Sequence, residues 1–596
     1  MDTPLFTLQA APRPFLEDYM LLRRTPIAVL TAFALSVVAH AQTSQTSGAL
    51  RGIVKDRSGR AISGANIRVA NLETGAGRTV RSGAAGDYTF PLLPSGTYEV
   101  LVSAPGFKPV KENVRVTLGN SVTLSPMLEA SEVGAVVEVV AAAGTVDVRQ
   151  VSTVTTLEQD LVQSIPLVTR NFTDVAKLAP GVTAGSGSPA RLVVEGGRQI
   201  FNAIQIDGAS NNSAFFNEQR GGVYTPFIFG ADTIKELQVV TNGFDAQYAQ
   251  AGATINAITK GGTNEVTGSA LYQMRKTAWT ESSERPPYGG SGAAPRTNDS
   301  ENINFNIGGP LVKDKLFYFF GVERYTKKIT ANPNPTSIGP DRFLSDGVTP
   351  NPAYIPGMSQ AEFTAFLASP LGGIVTNRGG LTLAQEFGNP RAGIPPHPYP
   401  MSNTNTVYFG RVDWVASQNH RFVFRVNFQD MKDTLQNTSA SPNNAESNNI
   451  PTRVQSVSWV IEANNIWTPE LFTESRLQLA REARPMTGNA TPGTPAIAIP
   501  TSGTNMSFGT KTSTPRESNE LTTQFFSATT WAHGDLQIKG GVDILRVDED
   551  NQFFNNNSGS WRFDTYGGAT AWATGTIPPP PPAPAANPGA PGGITY

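Results

Sequence analysis

The chain contains no cysteine. Disulfides, thiol nucleophiles and cysteine-ligated metals are therefore excluded. A chain without thiols has no thiol oxidation to manage outside the cytoplasm. Histidine is nearly as scarce: only His40, His397, His420 and His533, far apart in sequence. There is no H-x-x-E or H-E-x-x-H zinc pair, and no nucleophile–base arrangement is legible. The expectation is a protein with no metal, no cofactor and no enzymatic chemistry. Charge is sparse too: 16% of residues are charged and the net charge is -2, so no electrostatic footprint for nucleic acid exists. Beyond residue 45 no apolar run is long enough for a membrane-spanning helix. What is plentiful is Gly (57) and Pro (45), with many Asn, Ser, Thr and aromatics. That mixture favours strands joined by turns. At 596 residues, several domains are expected.

Residues 20–41 read MLLRRTPIAVLTAFALSVVAHA. Arg23 and Arg24 supply a positive start, Ile27 to Ala39 a short apolar stretch, and Ala39-His40-Ala41 an A-x-A site. This predicts a secretory signal cleaved between Ala41 and Gln42. The competing reading is the buried helix of a first domain. Because the signal is complete from Met20, translation is expected to begin there. Residues 1–19 would then be a start-site artefact.

Residues 48–130 alternate with period two between turn signals. Strands are expected at Leu50–Val54, Ala65–Val69 and Tyr98–Val102, and turns at Asp56–Gly59, Gly83–Asp87 and Pro94–Gly96. Short strands so spaced predict a small β-sandwich. Its glycines, Asp56 and Asp87 read as turn residues rather than ligands. The order G-x-V-x-D-x-x-G, I-x-G-A-x-I-x-V, G-D-Y-x-F-x-x-L-P-x-G-x-Y-x-V-x-V resembles the carboxypeptidase regulatory-like domain. That resemblance implies a transthyretin-like (carbohydrate-binding-like) sandwich and no peptidase activity.

Residues 133–149 begin with a valine-rich run, VGAVVEVV. It is either a last sandwich strand or a free strand awaiting a sheet edge. It resembles the TonB box of outer-membrane receptors, which would make Val136, Val137, Glu138, Val139 and Val140 the contact with TonB. Residues 150–262 mix short helices, expected at Thr173–Leu178 and Ala231–Glu236, with strands at Leu192–Val194, Ala203–Ile206, Leu237–Thr241 and Thr254–Thr259. This α+β pattern resembles the plug of TonB-dependent receptors. The wording of Ala251–Gly268, together with GPLVKDKLF from Gly309, points to the Oar-like subgroup. Within this region Asp207-Gly208 is either an ionic latch against a barrel wall or a strand-ending turn, and turn chemistry favours the turn. Gly261-Gly262-Thr263-Asn264 lacks the Lys-Ser/Thr of a phosphate loop and reads as a turn. Arg191, Glu195 and Arg198 are either lumen partners or solvated charges.

From residue 263 onward the pattern changes. Phe422, Phe424, Val426 and Phe428 share one face, and Val423, Arg425, Asn427 and Gln429 the other. Tyr408, Val412 and Trp414 oppose Arg411 and Asp413 in the preceding strand. Each strand is roughly ten residues, the length that crosses an outer membrane at a tilt. Links alternate strictly in length. Short ones fall at 310–315, 415–420, 466–470 and 532–535; long ones fall at 277–300, 328–404, 431–453, 482–519 and 549–560. Periplasmic turns alternating with extracellular loops produce this asymmetry, and a soluble sandwich does not. The fold class is thus mainly β, with signal, sandwich, α+β plug and an antiparallel transmembrane barrel over residues 263–596. Only nine or ten strands are found, whereas plugged transporters have roughly 22. The barrel is expected to be incomplete, and the proline-rich stretch from Pro578 to read as a loop before a further strand at Ile594. The chain is accordingly expected to be a C-terminally truncated receptor.

The resemblance implies TonB-driven uptake of a small ligand (siderophore, saccharide, peptide or similar) through the outer membrane. TonB with its inner-membrane energising complex and outer-membrane lipid would be the partners, with the sandwich and TonB box in the periplasm. The rival readings are an outer-membrane adhesion or structural protein on the same scaffold, and a carbohydrate-binding protein without transport.

Overall fold

The computed structural model describes residues 44–130, 137–138, 153–158, 160–161, 171–185, 191–222, 225, 227–242, 247–248, 252–279, 298–331, 399–434, 450–488, 490, 496–500, 505–509, 511, 514–533, 536–553 and 560–562. The sandwich comprises β1 (Gly48–Ile53), β2 (Lys55–Asp56), β3 (Asn66–Asn71), β4 (Gly77–Arg81), β5 (Asp87–Leu93), β6 (Gly96–Ser103), β7 (Val110–Val116), β8 (Ser121–Thr123) and β9 (Met127–Leu128). Period-two alternation sends Leu50, Ile67, Val69, Phe90, Tyr98, Val100, Val102, Val114 and Val116 into one core. Each such side chain contributes about 1.5–3 kcal/mol on burial. Asp56 accepts hydrogen bonds from Ser58 N (2.8 Å) and Arg60 N (3.0 Å), so it is a turn residue, as its sequence context predicts. The Ser58 hydroxyl on the same carboxylate is the main reason its pKa falls to about 2. A short strand β10 (Val137–Glu138) adds to the edge of β7, giving the sheet order β10-β7-β6-β3-β4.

Next come β11 (Thr153–Glu158), α1 (Phe172–Ala176), β12 (Val182–Ala184), β13 (Leu192–Val194), β14 (Ala203–Ile206), β15 (Ala209–Ser210), β16 (Ile234–Asn242) and β17 (Thr254–Thr259). Asn171 caps α1 by accepting from Thr173 N at 3.1 Å. Four of these strands form one mixed sheet with β15, in the order β11-β16-β17-β14-β15, with β14 and β17 parallel. The helix expected at Ala231–Glu236 is replaced. Only Ala231–Thr233 makes a 3-10 turn, and the chain enters β16 at Ile234. β16 lies between β11 and β17, and two flanking ladders outweigh the helix preference of Lys235-Glu236-Leu237.

The third region is a nine-stranded antiparallel meander. Its strands are β18 (Thr267–Arg275), β19 (Asn298–Val312), β20 (Leu316–Ala331), β21 (Tyr399–Val415), β22 (His420–Asp433), β23 (Thr452–Ile466), β24 (Leu471–Ala483), β27 (Arg516–His533) and β28 (Leu536–Phe553). The link between β24 and β27 carries a hairpin, β25 (Ala496–Pro500) with β26 (Asn505–Gly509), which β29 (Ser560–Arg562) joins. The turns at 312–316, 415–420, 466–471 and 533–536 coincide with the short links read from sequence. The strands are longer than the expected ten residues: β27 and β28 have 18 each. At about 3.3 Å per residue they outrun a ~25 Å apolar band, because pairing continues beyond the membrane. Among the described residues the sheet is not closed; β18 and β28 are its ends.

Burial in this sheet is inverted. In β22 Arg425, Asn427 and Gln429 are buried, whereas Phe424 is 41% exposed. Trp459 and Ile461 of β23 are exposed, whereas Ser458 and Glu462 are buried. Across strands the outward face carries aromatic pairs, Trp414 on Phe422 (5.3 Å) and Tyr408 on Phe428 (6.1 Å). This is a membrane wall: the apolar face meets lipid, and the polar face is covered by the mixed sheet.

Candidate functional site at the plug–wall seam

The mixed sheet joins the wall through an apolar patch and two ionic clusters. In the patch, Phe229 packs on Phe409 of β21 (6.0 Å), and Phe409 on Phe319 of β20 (5.9 Å). The first cluster centres on Asp207. Ile206 pairs with Ala209, so Asp207 and Gly208 form a two-residue hairpin turn with φ of +49° and +68°. The turn favoured from sequence is therefore present, and its carboxylate also faces arginines of the wall. Asp207 accepts from Thr259 N and Oγ1, both at 2.8 Å. Its carboxylate lies 3.0 Å from Arg425 Nε and 3.4 Å from Arg411 Nη1. Arg411 also holds Asp413 through two hydrogen bonds of 2.8 and 2.9 Å, and Arg421 joins that carboxylate at 2.5 Å. Arg476 Nη1 donates to the Asp207 carbonyl at 3.2 Å. A Cβ on Gly208 would sit 2.3 Å from that nitrogen, so glycine serves both the backbone angle and the approach of Arg476.

The second cluster lies toward the long-loop ends of the wall strands. Arg220, 1% exposed, places Nη2 3.3 Å from Thr522 Oγ1 and 4.0 Å from Glu520 Oε1. Burial pushes its pKa down from the usual guanidinium range. Glu520 accepts from Ser213 Oγ and Ala214 N, both at 2.9 Å. Glu482 accepts from Gly221 N at 2.5 Å, and Arg484 pairs with Glu218 at 2.6 Å. Arg484 and Arg516 stand over the Phe216 ring at 4.9 and 4.7 Å.

The sandwich docks on the opposite side. Lys235 pairs with Glu73 (2.8 Å), Leu118 N donates to Glu236 (3.0 Å), and Gln238 donates to the Leu118 carbonyl (3.0 Å). Burial raises the Glu236 carboxyl above its usual range. The turn at Gly261–Asn264 closes this junction: Asn264 N donates to the Glu73 carbonyl (2.9 Å), and a Cβ on Gly262 would meet the Tyr318 carbonyl at 2.3 Å. A cavity of about 140 Å³ remains between sandwich, mixed sheet and wall; charged Asp207, Arg411, Asp413, Arg421 and Glu462 border it together with apolar Val69, Leu93 and Phe317.

Other sequence candidates distribute as follows. Val137 and Glu138 pair in parallel with Val110 and Lys111 of β7. Val136, Val139 and Val140 lie outside the described residues, as do Ala41 and Gln42. Glu195 and Arg198 are exposed at a turn, and Arg191 is half-buried. His420 meets Asn465 and His533 meets Glu470 at wall turns, each at 2.8 Å. Among the described residues no group of three His, Asp or Glu could hold a metal. The partners Arg411, Arg425, Arg476, Glu482, Arg484 and Glu520 were not singled out as latch residues. Their signal was present, as charges at alternate positions on the polar face of wall strands.

A sheet with a lipid face, a polar face and a second domain latched against that polar face defines an outer-membrane β-barrel protein. Residues 258–586 match the outer membrane beta barrel domain and residues 49–129 the carboxypeptidase regulatory-like domain. The first match spans more than half the chain, and the protein belongs to that outer-membrane β-barrel family and resides in the outer membrane. The TonB-dependent transporter Oar of Myxococcus xanthus is 25% identical over 314 residues, covering 50% of this chain and 28% of that protein. The chain thus spans little more than a quarter of that relative's length. Solved structures similar to it include the siderophore receptor PirA of Acinetobacter baumannii (15% identity, 67% of this chain, 48% of that chain, TM-score 0.43). PirA of Pseudomonas aeruginosa is another (11% identity, 68% of this chain, 49% of that chain, TM-score 0.40).

Proposed function

We propose that the protein acts as a TonB-dependent receptor that takes up a small ligand of siderophore, saccharide or peptide type across the outer membrane. It binds and moves its ligand and performs no covalent chemistry. In this reading residues 20–41 are removed as a signal between Ala41 and Gln42, residues 48–130 are a periplasmic sandwich, and residues 133–149 carry the TonB contact at Val136–Val140. Residues 150–262 are the plug, and residues 263–596 belong to the wall. The observation that carries the reading is the Asp207 seam. Plug and wall meet there through buried charges and hydrogen bonds, not through an apolar core alone. A seam of this kind is stable while paired, yet its groups can rehydrate when the plug shifts, whereas close-packed apolar surfaces resist sliding. The edge pairing of Val137–Glu138 fits a segment able to add to a sheet, the mode by which an extended docking strand is recognised.

The test is capture of the purified periplasmic domain of TonB by the protein in detergent. Deleting Val136–Val140 is expected to abolish capture while leaving the amount of folded barrel unchanged. Undiminished capture by the deletion variant would sink the proposal.

A further inference from the structure

Ser44–Ser47 precedes the sandwich in sequence but is lodged between plug and wall. Gln45 is 3% exposed, and it bridges the two bodies. Its backbone carbonyl accepts from Asn256 Nδ2 of plug strand β17 at 2.6 Å. Its side-chain Oε1 accepts from Arg476 Nη2 of wall strand β24 at 2.8 Å. On either side, Thr46 Oγ1 donates to Glu462 Oε1 of β23 at 2.9 Å, and the Ser44 hydroxyl donates to Glu474 of β24. Thr46 N and Ser47 N both donate to Ser44 Oγ, at 3.1 and 3.0 Å, which folds the segment into a compact turn. Gly119 N holds the Ser47 carbonyl at 3.1 Å and ties the segment to the sandwich.

The donor pattern matches residue by residue. Two buried carboxylates, Glu474 and Glu462, receive hydroxyl donors, and the buried guanidinium between them receives an amide oxygen. The three charged groups are each less than a tenth exposed, so a groove emptied of its occupant would strand them. Their other partners, Lys539 at 3.4 Å from Glu474 and Asn464 at 2.5 Å from Glu462, leave hydrogen-bonding capacity that the segment uses. The sequence from Gln42 to Ser47 is Gln-Thr-Ser twice over, uncharged and without an apolar side chain.

We propose that β17, β23 and β24 form a peptide-binding groove in the plug–wall seam, and that its occupant is the chain's own hydroxyl- and amide-rich segment Ser44–Ser47. The segment acts as a wedge that bonds to plug, wall and sandwich at once. A short peptide of the same chemistry is the ligand class this groove accepts.

Because the chain lacks cysteine, a single introduced thiol reports without background. In the whole protein in its outer membrane, Gln45→Cys is expected to react with a maleimide about tenfold more slowly than Ala61→Cys on the exposed sandwich surface. Equal rates overturn the proposal. Adding the isosteric changes Glu462→Gln and Glu474→Gln, which weaken the hydroxyl contacts, is expected to speed labelling at position 45 about tenfold. Ala209→Cys, buried in the plug, should stay unreactive in that background and so report a seated plug. Unchanged labelling at position 45 after both substitutions overturns the proposal as well.

Discussion

The sandwich, whose longer strands pair antiparallel, and the wholly antiparallel wall both alternate with period two, and they bury opposite chemistry. In β6 the inward residues are Tyr98, Val100 and Val102. In β22 they are Arg425, Asn427 and Gln429, with Phe424 and Phe428 facing out. The same ladder geometry serves both because the solvent differs. Water drives apolar side chains inward in the sandwich. Lipid accepts them outward in the wall, and the polar face then needs hydrogen-bonding partners, which the plug supplies. Alternation alone therefore does not say which face is inside. The plug decides that in the wall, through Asp207 and Arg220.

The largest effects should come from removing one inward side chain in each region. Phe90→Ala in the sandwich is expected to cost about 3–5 kcal/mol through an apolar cavity. Arg425→Ala in the wall is expected to cost a similar ~3–5 kcal/mol by breaking a buried ion pair, which leaves the Asp207 carboxylate with Arg411 and Thr259 only. Denaturant titration of each variant measures the loss. Restoration by Asp207→Asn in the Arg425→Ala background, and no such rescue for Phe90→Ala, would separate the two mechanisms. Next in size is Trp459→Arg, near the middle of β23 on the outward face. It should cost about 2–4 kcal/mol when folding into liposomes is followed, because a charge enters hydrocarbon. A neutral result would argue that this face meets water, as an exposed sandwich position does.

The smallest effect concerns pH and belongs to the sandwich alone. Asp56 has a folded pKa of about 2, below the ordinary 3.8. A depressed carboxyl contributes stability that is complete above the ordinary value and is lost as pH falls through the folded one. Between about pH 4 and pH 2, the amides of Ser58 and Arg60 should lose hydrogen-exchange protection relative to those of β3. In Asp56→Asn the loss should be flat across that window.

Much of the comparison was legible in sequence, because period-two alternation and link length are local properties. The face shared by Arg425, Asn427 and Gln429, the turn at 415–420 and the plug strands at Leu192–Val194, Ala203–Ile206 and Thr254–Thr259 needed no tertiary knowledge. Three features were not legible, each for a non-local reason. Ala231–Glu236 carries helix-forming residues, but its second half, from Ile234, is claimed by two neighbouring strands. Asp207 reads as half of a turn, and its guanidinium partners lie far along the chain, 204 residues away for Arg411 and 269 for Arg476. The lodging of Ser44–Ser47 depends on groups contributed by three strands from two regions.

The central claim is that the wall is inverted relative to the sandwich, apolar outward into lipid and polar inward onto the plug. Spin labels on single cysteines from position 422 to position 430 of β22, in the intact protein in bilayers, test it most directly. Oxygen accessibility should peak at positions 422, 424, 426 and 428 and fall at 423, 425, 427 and 429, with a water-soluble nickel reagent excluded from the peaks. Equal oxygen access along the strand, or nickel access at position 424, would contradict the account.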